Sequence, residues 1–412
     1  MQTAEPIFKG KRIAVCMDGT WQRLRTEFPT NIAKIARSVD HEDDSGAKQI
    51  VVYTQGVGAS SELTQHAKGA LAGGLFGKGL EEDVLNTYVR ICLNYQWGDR
   101  LYIFGYSRGA FSARSLGGLI RRCGIVRRRF VQRAPEAFEL YRKRFDSPDD
   151  PELLRFRAET NKRPDEMGAD VTPPPIPIEY VGLFDTVGQR GLPSGLGPLT
   201  DIFNKKFEFH DLALSHYVRA ARHAVAIDER RFAFPPTLWS NLGDLNRPAL
   251  ESGVDYSDLP YQQRWFPGTH GDIGGGDQKA LMADFPLAWV VEGAQRAGLK
   301  IDMTEGTPLG PAVRTELLDP TFPFSLKPSG VRTRRFPKAA RHLGPTDAAR
   351  FLHPVTTQRA LLLGPQYRSE TLRSFEKLFK QLRIAVALSQ LLVLASAASR
   401  AEIARNHPET GA

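Results

Sequence analysis

Arg100-Leu101-Tyr102-Ile103-Phe104-Gly105-Tyr106-Ser107-Arg108-Gly109-Ala110-Phe111-Ser112-Ala113-Arg114-Ser115-Leu116 is the stretch on which the fold turns. Residues 101–104 form an apolar run bounded by a glycine, the pattern of a short buried strand. From Ala110 onward the composition is that of a helix start. Between them lies Gly-Tyr-Ser-Arg-Gly. A strand that reverses sharply into a helix forces the central residue into a strained backbone conformation. Its neighbours two positions away must then be small. Gly105 and Gly109 meet that demand, so the segment reads as a nucleophile elbow with Ser107 at its apex. The turn exposes the hydroxyl at the carboxyl end of the sheet. It also sets a helix N-terminus behind it, where the Arg108 amide can face a developing oxyanion.

Other segments continue the pattern. Arg12–Met17 is a first strand, apolar after Arg12 as a buried parallel strand is. Asn31–Ser38 starts a helix, and Gln49–Tyr53 is a second strand. Glu81–Tyr95 carries apolar residues at 84, 85, 88, 91 and 92, which is helical spacing. Ile178–Phe184 is another strand and ends at Asp185. Arg219–Ile227 and Gln263–Phe266 are shorter apolar segments before polar turns. Strands alternating with helices predict a mostly parallel α/β sheet with helices on both faces. Glycine-rich 69–79 lacks the Ser/Thr that follows lysine in a phosphate-binding loop, and is expected to be a loop near the cleft. Ser147–Pro177, charged and proline-rich, is expected to be an exposed insertion. The catalytic domain is placed at residues 10–360, with that insertion at about 146–177 and a C-terminal helical segment at 361–412.

Composition narrows the function classes. The chain has 412 residues, 41% hydrophobic and 25% charged, which is ordinary for a globular protein. Its three cysteines show no paired spacing, so neither a disulfide framework nor a zinc motif is expected. Residues 1–11 lack the apolar core of a signal peptide. The expected location is therefore cytoplasmic, peripheral at a membrane, or exported without such a peptide. Net charge is +9. Part of the excess is clustered at Arg121, Arg122 and Arg127–Arg129, and again at Arg332–Arg335 with Lys338, Arg341 and His342. Such clusters suit an anionic lipid surface or solvent. No nucleic-acid-binding motif accompanies them. Ile384–Ala398 is an apolar run of 15 residues, short of the about 20 that span a bilayer. A docked or interfacial helix is expected there.

A serine nucleophile needs a base, and the base an orienting acid. In α/β-hydrolases these follow the serine in the order acid, histidine. Asp185 caps a strand in the right interval, with Asp201, Asp228 and Asp272 as fallbacks. His270 lies where an apolar segment breaks into Gly268-Thr269-His270-Gly271-Asp272-Ile273-Gly274-Gly275-Gly276, and His353 is the second choice. The loop Asp18-Gly19-Thr20-Trp21 follows the first strand, where a second oxyanion amide belongs. Gly19 or Thr20 would supply it. Asp18, Asp185 and Asp272 are ligand types for Mg²⁺ or Ca²⁺, but their spacing matches no hard-cation motif, and no metal or other cofactor is expected.

Taken together, several segments resemble one family, the catalytic domain of type VI secretion phospholipase effectors. They are Met17–Trp21 (MDGTW), Asn94–Asp99 (NYQWGD), Phe104–Arg114 (FGYSRGAFSAR), Phe184–Gly188 (FDTVG), Ala226–Arg231 (AIDERR), Phe234-Pro235-Pro236 and Trp265–Gly276 (WFPGTHGDIGGG). His353-Pro354 falls where the family has a similar element. The resemblance implies an α/β-hydrolase fold, a triad at Ser107, Asp185 and His270, and hydrolysis of acyl esters, phospholipids among them. The partners it implies are a lipid or acyl-ester substrate and, for an exported effector, an immunity protein. The alternatives are a carboxylesterase on small soluble esters, or a non-catalytic membrane-associated or interaction protein on a hydrolase scaffold.

Overall fold

The computed structural model describes residues 10–20, 22–56, 74–143, 145, 147–161, 176–188, 213–231, 234–278, 280–302 and 351–363. Six strands form one sheet: β1 (Arg12–Met17), β2 (Gln49–Thr54), β3 (Arg100–Tyr106), β4 (Ile178–Phe184), β5 (Val218–Ala226) and β6 (Tyr261–Phe266). Their order is β2-β1-β3-β4-β5-β6, and every neighbouring pair is parallel. This is the α/β-hydrolase-type sheet expected. Because all strands point one way, the turns leaving β1, β3, β4, β5 and β6 gather along one edge. That edge receives Asp18, Ser107, Asp185, Asp228 and Gly268.

The strand sequences divide between two cores. Along β1 and β3, Ile13, Val15, Met17, Leu101 and Ile103 face one cluster, while Ala14, Cys16, Tyr102, Phe104 and Tyr106 face the other. The side-chain period of two makes both sets apolar, since each face carries helices. Each fully buried aliphatic side chain contributes roughly 1.5–3 kcal/mol, so alternation of this kind anchors the register. The described α-helices are α1 (Asn31–Ser38), α2 (Gly74–Asn94), α3 (Arg108–Cys123), α4 (Ala134–Arg142), α5 (Pro151–Thr160), α6 (Leu242–Glu251), α7 (His270–Gly274), α8 (Asp284–Arg296) and α9 (Pro354–Leu363). The first cluster includes Val84, Tyr88 and Ile91 of α2 and Leu116, Leu119 and Ile120 of α3. The second includes Ile32 and Ile35 of α1 and Leu287, Val290 and Val291 of α8.

Two expectations need correction. The glycine-rich segment is helical from Gly74, so only residues 69–73 of it lie outside the described part. The apolar stripe of α2 is long enough to carry helix into the glycines N-terminal to it. Within the expected exposed insertion, α5 packs inward. Asp150 caps it by accepting from the Glu152 amide, Pro151 opens it, and Leu153, Phe156 and Arg157 are buried. Leu153 and Phe156, one helical turn apart, join the core beneath α3, which outweighs the polar composition of the segment. The basic clusters also differ in character. Arg122 is partly buried and donates to the Phe145 carbonyl, while Arg128 and Arg129 face solvent. Arg332–His342 and the run 384–398 lie outside the described residues. Among those described, no helix is long and apolar enough to cross a membrane. All three cysteines are buried free thiols, and burial pushes Cys92 and Cys123 up to about 12.

Candidate active site

Ser107 stands between β3 and α3 with φ 57° and ψ −122°, a backbone conformation that side chains rarely adopt. Neighbouring elements hold it there. The Ser107 amide donates to the Phe184 carbonyl at the end of β4 (3.0 Å), and its carbonyl accepts from Phe111 (3.3 Å). The tight reversal brings backbone to backbone. A Cβ on Gly109 would lie 2.3 Å from the Met17 carbonyl oxygen, and one on Gly105 would lie 2.5 Å from the Ala110 Cα. Both elbow positions therefore accept glycine alone.

Asp185 follows β4, also at positive φ (39°). Its amide donates to the Ala224 carbonyl, and its Oδ1 accepts from the Ala226 amide at 2.9 Å. The next residue is braced too: the Thr186 amide donates to His223 Nε2 (3.1 Å). Nδ1 of that ring must then carry the proton shared with Gln263 Oε1 at 3.0 Å. His270 opens α7 after β6. The structure brings the three together across 163 and 85 residues of chain: His270 Nε2 lies 2.7 Å from Ser107 Oγ, and Nδ1 lies 2.6 Å from Asp185 Oδ2. An ionised carboxylate only accepts, so Nδ1 is the donor, and Nε2 of the neutral ring accepts from the serine hydroxyl. Ser107, His270 and Asp185 are 6%, 5% and 0% exposed. In so dry a setting an aligned donor and acceptor interact strongly.

Other groups hold this trio. The Tyr106 ring stacks on the His270 imidazole (centroids 4.9 Å apart, 30° between planes), and its hydroxyl donates to the His270 carbonyl at 3.2 Å. Tyr106 fits because Gly274 and Gly19 have no side chain: a Cβ on them would come within 2.0 Å and 2.8 Å of its ring. Phe234 packs against His270 from 4.8 Å. The Gly268 amide donates to Asp228 Oδ2 and the His270 amide to Glu229 Oε2. Thus the turn after β5 grips the histidine loop.

The remaining candidates separate. Asp228 serves the Gly268 backbone, and Asp272 caps α7 through Thr269. His353 stacks on Phe266 (4.3 Å, 18°), where burial pushes it down to about 3. Asp201 lies outside the described residues. Asp18 accepts from Tyr53 OH (2.6 Å), from Thr30 Oγ1 (2.7 and 2.9 Å) and from the Gly19 amide (2.7 Å). Burial raises it from 3.8 to about 6 against the pull of those donors. The Gly19 amide is thereby engaged by the neighbouring side chain. Thr20 follows on the same loop, and Arg108 opens α3 directly after Ser107. Burial also lowers the Arg108 side chain to about 10. Asp18, Asp185 and Asp272 each turn to different partners and do not converge.

Residue-type reasoning missed Tyr106, Glu229, Arg231 and Phe234 as parts of the site. The available signal was position: an acid and a base directly after a strand, at the carboxyl edge of the sheet where sites of such folds lie.

Comparison with known proteins places the chain in a family. The family model described as type VI secretion, phospholipase effector Tle1-like, catalytic domain, matches residues 11–293. An uncharacterized protein of Saccharomyces cerevisiae is 31% identical over 237 residues, covering 55% of this chain and 32% of its own length. Among solved structures, an uncharacterized Pseudomonas aeruginosa protein is similar at TM-score 0.38 and 19% identity, over 86% of this chain and 53% of that one. The Tle1 effector bound to the VgrG spike of the type VI secretion system is similar at TM-score 0.34 and 16% identity, over 65% and 51%. The chain thus spans about a third of the yeast relative and about half of either of these two solved structures.

Proposed function

Because this chain belongs to the family of type VI secretion Tle1-like phospholipase effector catalytic domains, we propose that it is a serine hydrolase of acyl esters, with phospholipids of phospholipase A type as its substrate class. The observation that carries the reading is the continuous pair of contacts, Ser107 Oγ to His270 Nε2 at 2.7 Å and His270 Nδ1 to Asp185 Oδ2 at 2.6 Å. In the proposed reaction His270 Nε2 takes the Ser107 proton as Oγ attacks the acyl carbonyl carbon. Asp185 holds the Nδ1–H tautomer and stabilises the imidazolium that forms. The carbonyl oxygen becomes an oxyanion, met by the Arg108 amide at the positive end of α3 and by the Thr20 amide. Collapse expels the alcohol, which takes the proton from Nε2. Water, activated by the same imidazole, then releases the fatty acid from Ser107.

Supporting this reading are the backbone strain at Ser107, the burial of all three groups and the family membership. The test is fluorophosphonate labelling of wild type and Ser107→Ala, with mass spectrometry of the modified peptide. Labelling at Ser107 that disappears in the variant is expected, together with a loss of esterase activity of about 10³-fold or more. A folded Ser107→Ala protein that keeps wild-type hydrolysis of p-nitrophenyl butyrate refutes the proposal. Release of fatty acid from phosphatidylcholine vesicles, compared with turnover of that soluble ester, reads the substrate class. Vesicles of anionic lipid read whether the surface carrying Arg128 and Arg129 contributes, since such binding weakens with salt.

A further inference from the structure

Glu229 is a buried acid that the proposed reaction leaves without a role. It sits in the turn leaving β5 and is 2% exposed. Its carboxylate takes four hydrogen bonds. Oε1 accepts from the Arg231 amide (2.7 Å) and Arg231 Nε (2.9 Å). Oε2 accepts from the second guanidinium arm of Arg231 (2.6 Å) and from the His270 amide (3.0 Å). Burial works against its ionisation, but Arg231 and the two amides outweigh it and hold the carboxyl below the usual glutamate range. The same pair reaches His270 by a second path. The Arg231 guanidinium lies 4.1 Å from the centroid of the Phe234 ring, and that ring packs 4.8 Å from the imidazole. A fixed negative charge thus touches the His270 main chain, and its fixed positive partner lies against the ring that packs on the imidazole.

We infer that Glu229 is a positioning residue for His270, and that the Glu229–Arg231 pair tunes how readily the imidazole takes a proton. This rests on the reading of His270 as the base. Asp185 holds one nitrogen of the ring; Glu229 holds the main chain from which the ring projects, and Arg231 cancels the charge that would otherwise over-stabilise the imidazolium. Among the described residues, the groups facing this imidazole are Asp185, Ser107, Tyr106 and Phe234, with Arg231 behind Phe234 and Glu229 at the His270 amide.

The test is the acid limb of kcat/KM against pH on p-nitrophenyl butyrate, for single and double variants. Glu229→Gln keeps the shape and leaves Arg231 uncompensated, so the limb should move to lower pH. Arg231→Met leaves the Glu229 carboxylate uncompensated, so the limb should move to higher pH. Each shift should be about half to one pH unit, since each charge acts on the ring past an intervening group. Glu229→Gln with Arg231→Met restores neutrality and should return the limb to within about 0.3 unit of wild type. A purely structural pair would lower activity and stability without opposite displacements. Limbs that stay in place, or move together, overturn the inference. Arg231 is partly exposed, so Arg231→Met serves if the buried variants do not fold; a limb it leaves unmoved is equally fatal. Fluorophosphonate labelling of each protein separates the two levels. Ser107 labelled with unmoved limbs removes only the role of Glu229, whereas an unlabelled wild type removes the hydrolase reading beneath it.

Discussion

Replacing Asp185 with asparagine changes one atom, and the structure dictates which way the new side chain must sit. Asp185 Oδ1 accepts from the Ala226 amide at 2.9 Å, a backbone donor fixed within the sheet, while Oδ2 faces His270 Nδ1 at 2.6 Å. In Asp185→Asn the carboxamide oxygen must stay on the Ala226 side, because an NH₂ there would face another donor. The NH₂ then points at Nδ1. A neutral imidazole can meet that donor only by moving its proton to Nε2, which turns an N–H toward the Ser107 hydroxyl. The geometry survives but the tautomer is wrong for a base. The loss should be about 10⁴-fold in kcat, or about 5.5 kcal/mol of transition-state stabilisation, as expected where the acid of such a triad is made neutral. Folding should be little affected, since the change removes a buried charge and keeps its shape. The assay is kcat on p-nitrophenyl butyrate at pH 8, alongside the rate of fluorophosphonate labelling and a thermal melt. A folded Asp185→Asn protein within 10-fold of wild type would refute the tautomer argument and return the acid's role to another residue.

Other consequences are as specific. Gly109→Ala places a Cβ 2.3 Å and 2.4 Å from the Met17 and Asp18 carbonyl oxygens, both backbone atoms, and should cost about 3 kcal/mol in urea unfolding. A Cβ on Gly271 meets nothing within 4 Å, so Gly271→Ala should stay within about 0.5 kcal/mol; equal losses at the two sites would disprove the packing argument. Asp18 binds its proton more tightly in the folded chain, at about 6 against 3.8. That contribution is complete below about pH 4 and is lost as pH rises through 6. The stability of Asp18→Asn relative to wild type should therefore improve by up to about 3 kcal/mol between pH 4 and pH 8. Parallel stability–pH curves for the two proteins would exclude it.

The elbow was legible because its causes are local. Apolar residues 101–104, glycines two positions either side of Ser107 and a helix start at Ala110 are features of neighbours in the chain, and steric rules act over that range. Strand β4 and the start of the helix at Asn31 were legible for the same reason, their apolar periodicity being uninterrupted. The glycines before Glu81 concealed the first turns of α2, because glycine is a poor helix former. The polar composition of residues 147–161 hid the inward face of α5 in the same way.

Residue order alone therefore yields the class of fold, the strained serine and a short set of acids and histidines in the right order. Tertiary structure alone decided among them. It gave Asp185 rather than Asp228 or Asp272 to the imidazole, moved His353 onto Phe266, turned the Gly19 amide onto Asp18, and joined Glu229 and Arg231 to the backbone and ring of His270. These choices depend on how parallel strands fall into register and on where their carboxyl-end turns then point. Residues 41, 85 and 163 positions apart come within 3 Å only through that register. Local propensity reaches one helical turn or one strand, and carries no term for it.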